Sequence, residues 1–270
     1  MIPRPLRVER QRVQCGPVAI SYEVVGVGPP LVLIHGLSGS GRWWSRNVGP
    51  LARRFRVHVV DLIGFGESRD GQPFILAEAA RYLVHWMDEV GIDRSSIVGH
   101  SMGAFVGAEL AANYPQRVDR LVLVDAAVWP LADGHQRHAV GLARALRRLP
   151  LSFLPVLVAD SYRAGPMTLW KAARQLLTAD VRPKLAGIQA PTLVVWGQHD
   201  ALVPLEVGEQ LVASLPGAAL VVIADAGHNP MWDRPAEFNR VVGDFLAGEI
   251  GPGASALRGL TAPRPRPQAG

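Results

Sequence analysis

The sequence predicts an α/β fold, a mostly parallel sheet with helices on both faces and a helical lid inserted near its middle. Three observations predict it. Short continuous apolar runs at 31–35, 57–61 and 121–125 suit strands buried on both faces. Stretches of helical spacing alternate with such runs, the pattern of parallel strands joined by crossover helices. Between about 129 and 186 the alternation stops, and two or three helix-like segments follow without a clear buried strand.

Each element has its own signal. Residues 6–14 and 18–25 alternate apolar and polar side chains and read as a hairpin turning at Gly16 and Pro17. Gly26, Gly28, Pro29 and Pro30 mark a turn. Strand 31–35 runs into the glycine-rich loop HGLSGSG and a helix over 43–53. Strand 57–61 runs into DLIGFGES, and helical spacing over 76–90 follows through Leu76, Ala79, Ala80, Leu83, Met87 and Val90. A strand at 96–99 leads into a helix over 102–113 that stops near Pro115. After strand 121–125 and the insertion come a strand at 192–196, a helix at 205–214, a strand near 219–224 and a last helix at 233–247. The end of the chain is Gly, Pro, Ala, Ser and Arg, the composition of a disordered tail. The domain reading is therefore a core of 1–128 and 187–248, a helical lid of 129–186, and a tail of 249–270.

Bulk properties narrow the function classes. Of 270 residues, 49% are hydrophobic and 19% charged, which suits a well-buried globular enzyme rather than a disordered chain. Cys15 is the single cysteine, so no intramolecular disulfide and no cysteine zinc cluster can form. A cytoplasmic setting is expected. The first residues carry no apolar segment behind their arginines, and no apolar run approaches the roughly 20 residues that span a bilayer, so neither a signal peptide nor a membrane span is expected. The net charge is +5 and the pI about 10.0. Basic charge alone suggests nucleic acid. No recognition motif accompanies it and no aromatics interleave the arginines, so a solvated surface is expected instead.

The segment Gly99-His100-Ser101-Met102-Gly103 fits G-x-S-x-G between a short apolar strand and a helix. That context is what the motif requires: a tight turn leaves no room for flanking side chains and lifts the serine hydroxyl above the sheet edge. A serine hydroxyl needs a base at pH 7. His228, in Ala226-Gly227-His228-Asn229-Pro230, follows a strand and precedes the last helix, where a sheet builds its sites. Asp200 ends Trp196-Gly197-Gln198-His199-Asp200 after another buried strand and would hold the imidazole tautomer. Asp125 also ends a buried strand and is its rival.

The other histidines read differently. His35 belongs to the loop it opens, and His100 should point away from Ser101 by strand alternation. His199 reads as a loop residue, and His58 and His85 as core or surface residues. His135 and His138 fall in the lid. No pair has H-E-x-x-H spacing, so no metal is expected. The loop from Gly36 to Gly41 has P-loop spacing, but Arg42 and Trp43 follow instead of Lys and Ser or Thr. The run Gly64 to Ser68 lacks the third glycine of a dinucleotide fingerprint. No cofactor is expected.

HGLSGSG, DLIGFGES, GHSMG, WGQHD and GHNPMWDRPAEF together resemble the α/β-hydrolase superfamily, within it the lid-bearing esterases and C–C bond hydrolases. The resemblance runs from about residue 31 to 246. It implies the α/β-hydrolase fold, the chain order Ser101, Asp200, His228 for a catalytic triad, and an oxyanion hole from the backbone N–H groups of Leu37 and Met102. Epoxide hydrolases and haloalkane dehalogenases share the layout with aspartate at the elbow, and serine here argues against both.

Three functions follow from this reading. The first is a serine hydrolase cleaving an ester or thioester through an acyl-enzyme. The second is a C–C bond hydrolase of a vinylogous dicarbonyl acid. The third is a fold-mate that binds a ligand or runs cofactor-free lyase or perhydrolase chemistry. From 131 to 184 there are nine Lys or Arg against three Asp and no Glu, a net +6 that suits an anionic substrate or an acidic carrier protein bearing an acyl thioester. Trp129, Leu146, Leu149, Phe153, Leu154, Leu157, Met167 and Trp170 are the candidate lid lining. A monomer or a homodimer is expected.

Overall fold

The computed structural model describes residues 7–69, 72–130, 141, 144, 145 and 147–250. The expectations for Leu146, His135, His138 and the tail beyond residue 250 lie outside the described residues.

Eight strands form one sheet in the order β1-β2-β4-β3-β5-β6-β7-β8. β1 (Glu9–Cys15) and β2 (Val18–Val25) are the antiparallel hairpin, closed by Gly16 and Pro17 with Cys15 opposite Val18. β2 also pairs antiparallel with β4 (Arg56–Val60). The remaining strands, β3 (Pro30–Ile34), β5 (Ser95–His100), β6 (Val118–Val124), β7 (Thr192–Gly197) and β8 (Ala219–Ile223), run parallel with β4. A parallel sheet puts the carboxyl ends of all these strands on one edge, where the loops that follow them gather.

The continuous apolar runs divide between two cores with a period of two. Leu31, Leu33, Val122, Val124, Leu193 and Val195 face one core; Val32, Ile34, Leu121, Leu123, Val194 and Trp196 face the other. The second core is covered by α1 (Leu76–Glu89), α2 (Met102–Asn113) and α5 (Leu205–Ser214), through Leu83, Val106 and Leu211. The first is covered by α6 (Pro235–Leu246), through Phe238, Val242 and Phe245. Between β6 and β7 lie α3 (Leu154–Ala164) and α4 (Pro166–Thr178), and the described residues between 141 and 148 are helical.

The helix expected over 43–53 is not continuous. A 3₁₀ turn covers Gly41–Trp44 and a single α turn covers Val48–Leu51. Asn47 between the turns is fully buried, and its Nδ2 donates to Met231 O at 3.0 Å and Asn239 Oδ1 at 2.8 Å. The chain bends there to satisfy a tertiary partner. The last helix begins two residues later than expected, after a separate turn at Pro230–Asp233.

His58 on β4 is buried between the rings of Tyr22 and Trp86, and neither ring nitrogen has a hydrogen-bond partner among the described residues. Burial first, and the charge of Arg56 second, push its pKa down to about 4. The unfolded chain protonates near 6.5, so the stability this neutral ring confers is present above that pH and is lost as pH falls toward 4. Linkage sets the loss at about 2 kcal/mol between pH 7.5 and 5. His58→Phe should remove that loss, read as a smaller shift of the urea midpoint between the two pH values. An unchanged shift would show that His58 is not its source.

Candidate active site

Among the described residues four non-glycine residues have positive φ: Ser38, Ser101, Asp125 and Asp225. They follow β3, β5, β6 and β8, all at the carboxyl edge of the sheet. Strain gathered at one edge marks a functional region.

Ser101 stands between β5 and α2 with φ 51° and ψ −114°. Its N–H donates to Val124 O at 2.9 Å, and its carbonyl accepts from Ala104 N–H at 3.0 Å. The turn is as tight as the flanking glycines imply. A Cβ on Gly99 would lie 2.3 Å from Gly103 O, and one on Gly103 would lie 2.5 Å from the carbonyl oxygens of Ile34 and His35. No side chain fits at either place, so the helix N-terminus comes directly under the serine.

The structure brings Ser101, His228 and Asp200 together. Ser101 Oγ lies 3.0 Å from His228 Nε2, and His228 Nδ1 lies 2.7 Å from Asp200 Oδ2. The carboxylate accepts from Nδ1–H, which leaves Nε2 as the acceptor facing the hydroxyl. Asp200 is itself fixed: Oδ1 accepts from the N–H groups of Leu202 at 2.8 Å and Val203 at 3.0 Å, and its side chain is fully buried. Such a chain can move the serine proton to the imidazole while the carboxylate stabilises the imidazolium.

The N–H groups of Leu37 and Met102 have no partner among the described residues. Gly36 brings the first close, because a Cβ there would meet Ser101 Cβ at 3.2 Å. His35 anchors this loop: Nε2 accepts from Leu62 N–H at 3.0 Å, and Nδ1–H donates to Gly36 O at 2.8 Å. Burial lowers its pKa, so the ring is a neutral brace. Asp61 holds the same loop from β4, accepting from Gly41 N–H and Glu67 N–H at 2.7 Å each.

His100 corrects an expectation. It does not point away from Ser101; it lines the same cavity, its ring 4.9 Å from the ring of His228. Strand alternation fails here because Ser101 has left the strand conformation. His100 Nε2–H donates to His228 O at 2.7 Å, and burial together with the neighbouring His228 keeps its pKa well below the ordinary value. It is a neutral wedge that holds the His228 backbone. Asp160 was not visible as a site neighbour either. On α3 it is fully buried, accepts from Ser40 Oγ at 2.9 Å and is gripped by Arg42, tying the insertion to the loop of Leu37. A polar residue at helical spacing with a partner 120 positions away leaves no local signal.

A cavity of about 690 Å³ opens above Ser101. Trp43, Trp129, Phe153, Leu157, Leu169 and Trp170 line it. Of the expected lining residues, Leu149 also reaches it, whereas Leu154 and Met167 are exposed. His199 reaches both this cavity and a second cleft of about 420 Å³ formed with Arg144, Arg147 and Arg148.

Among the described residues, one group of three metal-binding side-chain types has its atoms within 4.8 Å of one another: Asp125, Asp200 and His228. Within this group His228 and Asp200 are hydrogen-bonded to each other at 2.7 Å. Both oxygens of Asp200 and Nδ1 of His228 already have partners, and Asp125 Oδ1 accepts from Gly197 N–H at 2.8 Å. His228 Nδ1 carries the proton it donates to Asp200, so it has no lone pair to offer a metal in this arrangement.

The sheet order, the elbow and the carboxyl-edge site together define an α/β hydrolase. The pattern of the Alpha/beta hydrolase family matches residues 31–241, and the chain belongs to that family. It is 30% identical to the carbamate hydrolase RutD named from Serratia proteamaculans over 83% of this chain and 95% of that one. It is 32% identical to a 2-hydroxy-6-oxononadienedioate/2-hydroxy-6-oxononatrienedioate hydrolase of Paraburkholderia xenovorans, over 86% and 92%. A solved thermophilic esterase from Thermogutta terrifontis superimposes with a TM-score of 0.77 at 26% identity, covering 89% and 98%. The protein is a hydrolase, and no helix among the described residues is long and apolar enough to cross a membrane.

Proposed function

We propose that the protein is a serine hydrolase that opens an ester or thioester, with Ser101 as nucleophile, His228 as general base and then general acid, and Asp200 as the carboxylate that orients it. The observation that carries this reading is the unbroken chain of contacts from Ser101 Oγ through His228 to Asp200 at 3.0 and 2.7 Å. Ser101 Oγ attacks the carbonyl carbon as its proton passes to Nε2. The oxyanion accepts from the N–H groups of Leu37 and Met102, and the leaving group departs with the proton. Water, deprotonated by His228, then attacks the acyl-enzyme and releases the acid. Each oxyanion donor is worth about 10²–10³ in rate.

The segment 129–186 acts as the lid in this proposal. It supplies most of the aromatic and aliphatic cavity wall, and Asp160 fastens it to the oxyanion loop. Arg148 lines both the cavity and the basic cleft, which suits a substrate with an apolar acyl part and an anionic end.

A second reading is C–C bond hydrolysis of a vinylogous dicarbonyl acid. The names of several relatives favour it, and so does a cavity wide enough for an aryl group. The carbamate carbonyl implied by other relatives is attacked in the same way. A panel decides among them: nitrophenyl esters of rising acyl length, an acyl thioester, an aryl carbamate, and a coloured dienol diketone. Ester and thioester turnover with little loss of dienol colour supports the first reading. Dienol loss outrunning ester turnover by about tenfold or more would replace it with the second.

A further inference from the structure

Asp125 is used by none of the steps above, yet it is fully buried beside them. It ends β6 with φ 41°, and its N–H donates to Val195 O at 2.9 Å. Its Oδ1 accepts from Gly197 N–H at 2.8 Å. Its Oδ2 is sealed from solvent and has no hydrogen-bond partner among the described residues. A buried acceptor with no donor is costly, and one carrying full charge more so. The groups around it add to that cost. Asp200, on the loop after β7, presents a carboxylate; His228, on the loop after β8, is the third member of the group within 4.8 Å; Asp233, on the turn that follows, adds negative charge. The charged groups acting on it, Asp200 and Asp233, are both acidic. A carboxylate oxygen of Asp125 and one of Asp200 lie within 4.8 Å of each other.

We infer that Asp125 is a neutral carboxylic acid whose Oδ2–H donates to the Asp200 carboxylate, making it a positioning residue for the Asp200–His228 pair. The inference rests on the triad reading given above. One proton removes both anomalies: Oδ2 becomes a satisfied donor, and two carboxylates at the same place carry one charge instead of two. Burial and the charge of Asp200 both push the Asp125 pKa well up. With Leu202 and Val203 N–H on Oδ1 and His228 on Oδ2, the added donor completes the set around Asp200 and fixes its plane toward Nδ1. The two strand-end aspartates are thus partners, not alternatives for one role.

The test is Asp125→Asn. An amide keeps the shape, accepts from Gly197 N–H and donates through Nδ2, so it mimics the acid and not the carboxylate. Three readouts follow. The acid limb of kcat/KM, which reports protonation of His228, should stay within about 0.3 pH unit of wild type. Were Asp125 ionised, the substitution would remove a negative charge beside the imidazole and the limb would move down by about a unit. The wild-type minus Asn infrared difference spectrum at pH 7 should contain a protonated-carboxyl C=O band. The thermal midpoint of the Asn variant should gain on wild type as pH rises from 5 to 8, because a buried acid with a raised pKa loses stability as pH climbs through that range. Asp125→Leu, which removes the donor and orphans Gly197 N–H, should lower kcat about tenfold or more with KM little changed. A carboxylate band in place of the acid band, or an acid limb displaced downward, overturns the inference. Labelling of wild type by a fluorophosphonate is read in parallel. If Ser101 is unlabelled, the triad reading fails, while the infrared band still decides the protonation of Asp125.

Discussion

Ser101→Ala is expected to abolish turnover, lowering kcat by about 10⁴-fold at least and toward about 10⁶-fold, as removal of a nucleophile does when the rest of a triad acts as a unit. The fold should survive. Among the described residues Ser101 Oγ makes one side-chain hydrogen bond, with His228 Nε2, while its backbone makes the elbow. Alanine keeps the backbone, so the far-UV spectrum should match wild type and the unfolding free energy should stay within about 1 kcal/mol of it. Wild type should take a fluorophosphonate on Ser101, located by mass mapping. Ser101→Ala should take none, and His228→Ala should react far more slowly because the hydroxyl has lost its base. Residual turnover should be about 10³–10⁴-fold above water if the Leu37 and Met102 donors still polarise the carbonyl. Undiminished turnover in the alanine variant would remove Ser101 from the chemistry. A wild type that folds, binds ligands and never labels would instead favour the ligand-binding reading of this fold.

Much of this site was legible in the sequence because its signals are local. A strand buried on both faces must be apolar throughout, and that produced β3, β4, β6 and β7 within a few residues of their observed bounds. A turn without room for side chains must carry glycine, which marked the elbow at Gly99 and Gly103. What sequence reading missed is non-local. Asn47 breaks the helix expected over 43–53 by bonding to Met231 and Asn239, nearly two hundred residues away. Asp160 fastens α3 to Ser40 and Arg42, a pairing no periodicity reveals. His100 was misplaced because alternation was carried across a residue that had already left the strand. Asp125 and Asp200 read as competitors because chain order cannot say that the ends of two neighbouring strands meet. Register makes them meet: β6 and β7 pair through Val124 and Val195, one residue before Asp125 and two before Gly197.

That meeting point carries the second large effect. Gly197→Ala should cost several kcal/mol of stability and about 10²-fold in kcat. Gly197 is fully buried at the end of β7, with ordinary strand backbone, so its need for glycine is one of space. A Cβ there would lie 1.9 Å from Gly227 O and 2.9 Å from Ala226 O. Both obstacles are backbone, and rotamer changes cannot clear them. The methyl must drive the β7 end away from the loop after β8. Asp200 is three residues beyond Gly197, and His228 is the residue after Gly227, so the displacement falls across the 2.7 Å contact between them. It also strains the Gly197 N–H bond to Asp125. Overpacking of this kind typically costs about 1–3 kcal/mol, more where only backbone can yield. A misplacement of about 1 Å in a catalytic group typically costs about 10²-fold in rate. Gly217→Ala is the control. Its φ of 78° strains alanine by about 1–2 kcal/mol, yet a Cβ there meets nothing within 4 Å. It should lower the melting temperature and leave kcat unchanged. Equal kcat losses in the two variants would mean that activity follows global stability; a loss confined to Gly197→Ala places the effect in the spacing between the Asp200 and His228 loops.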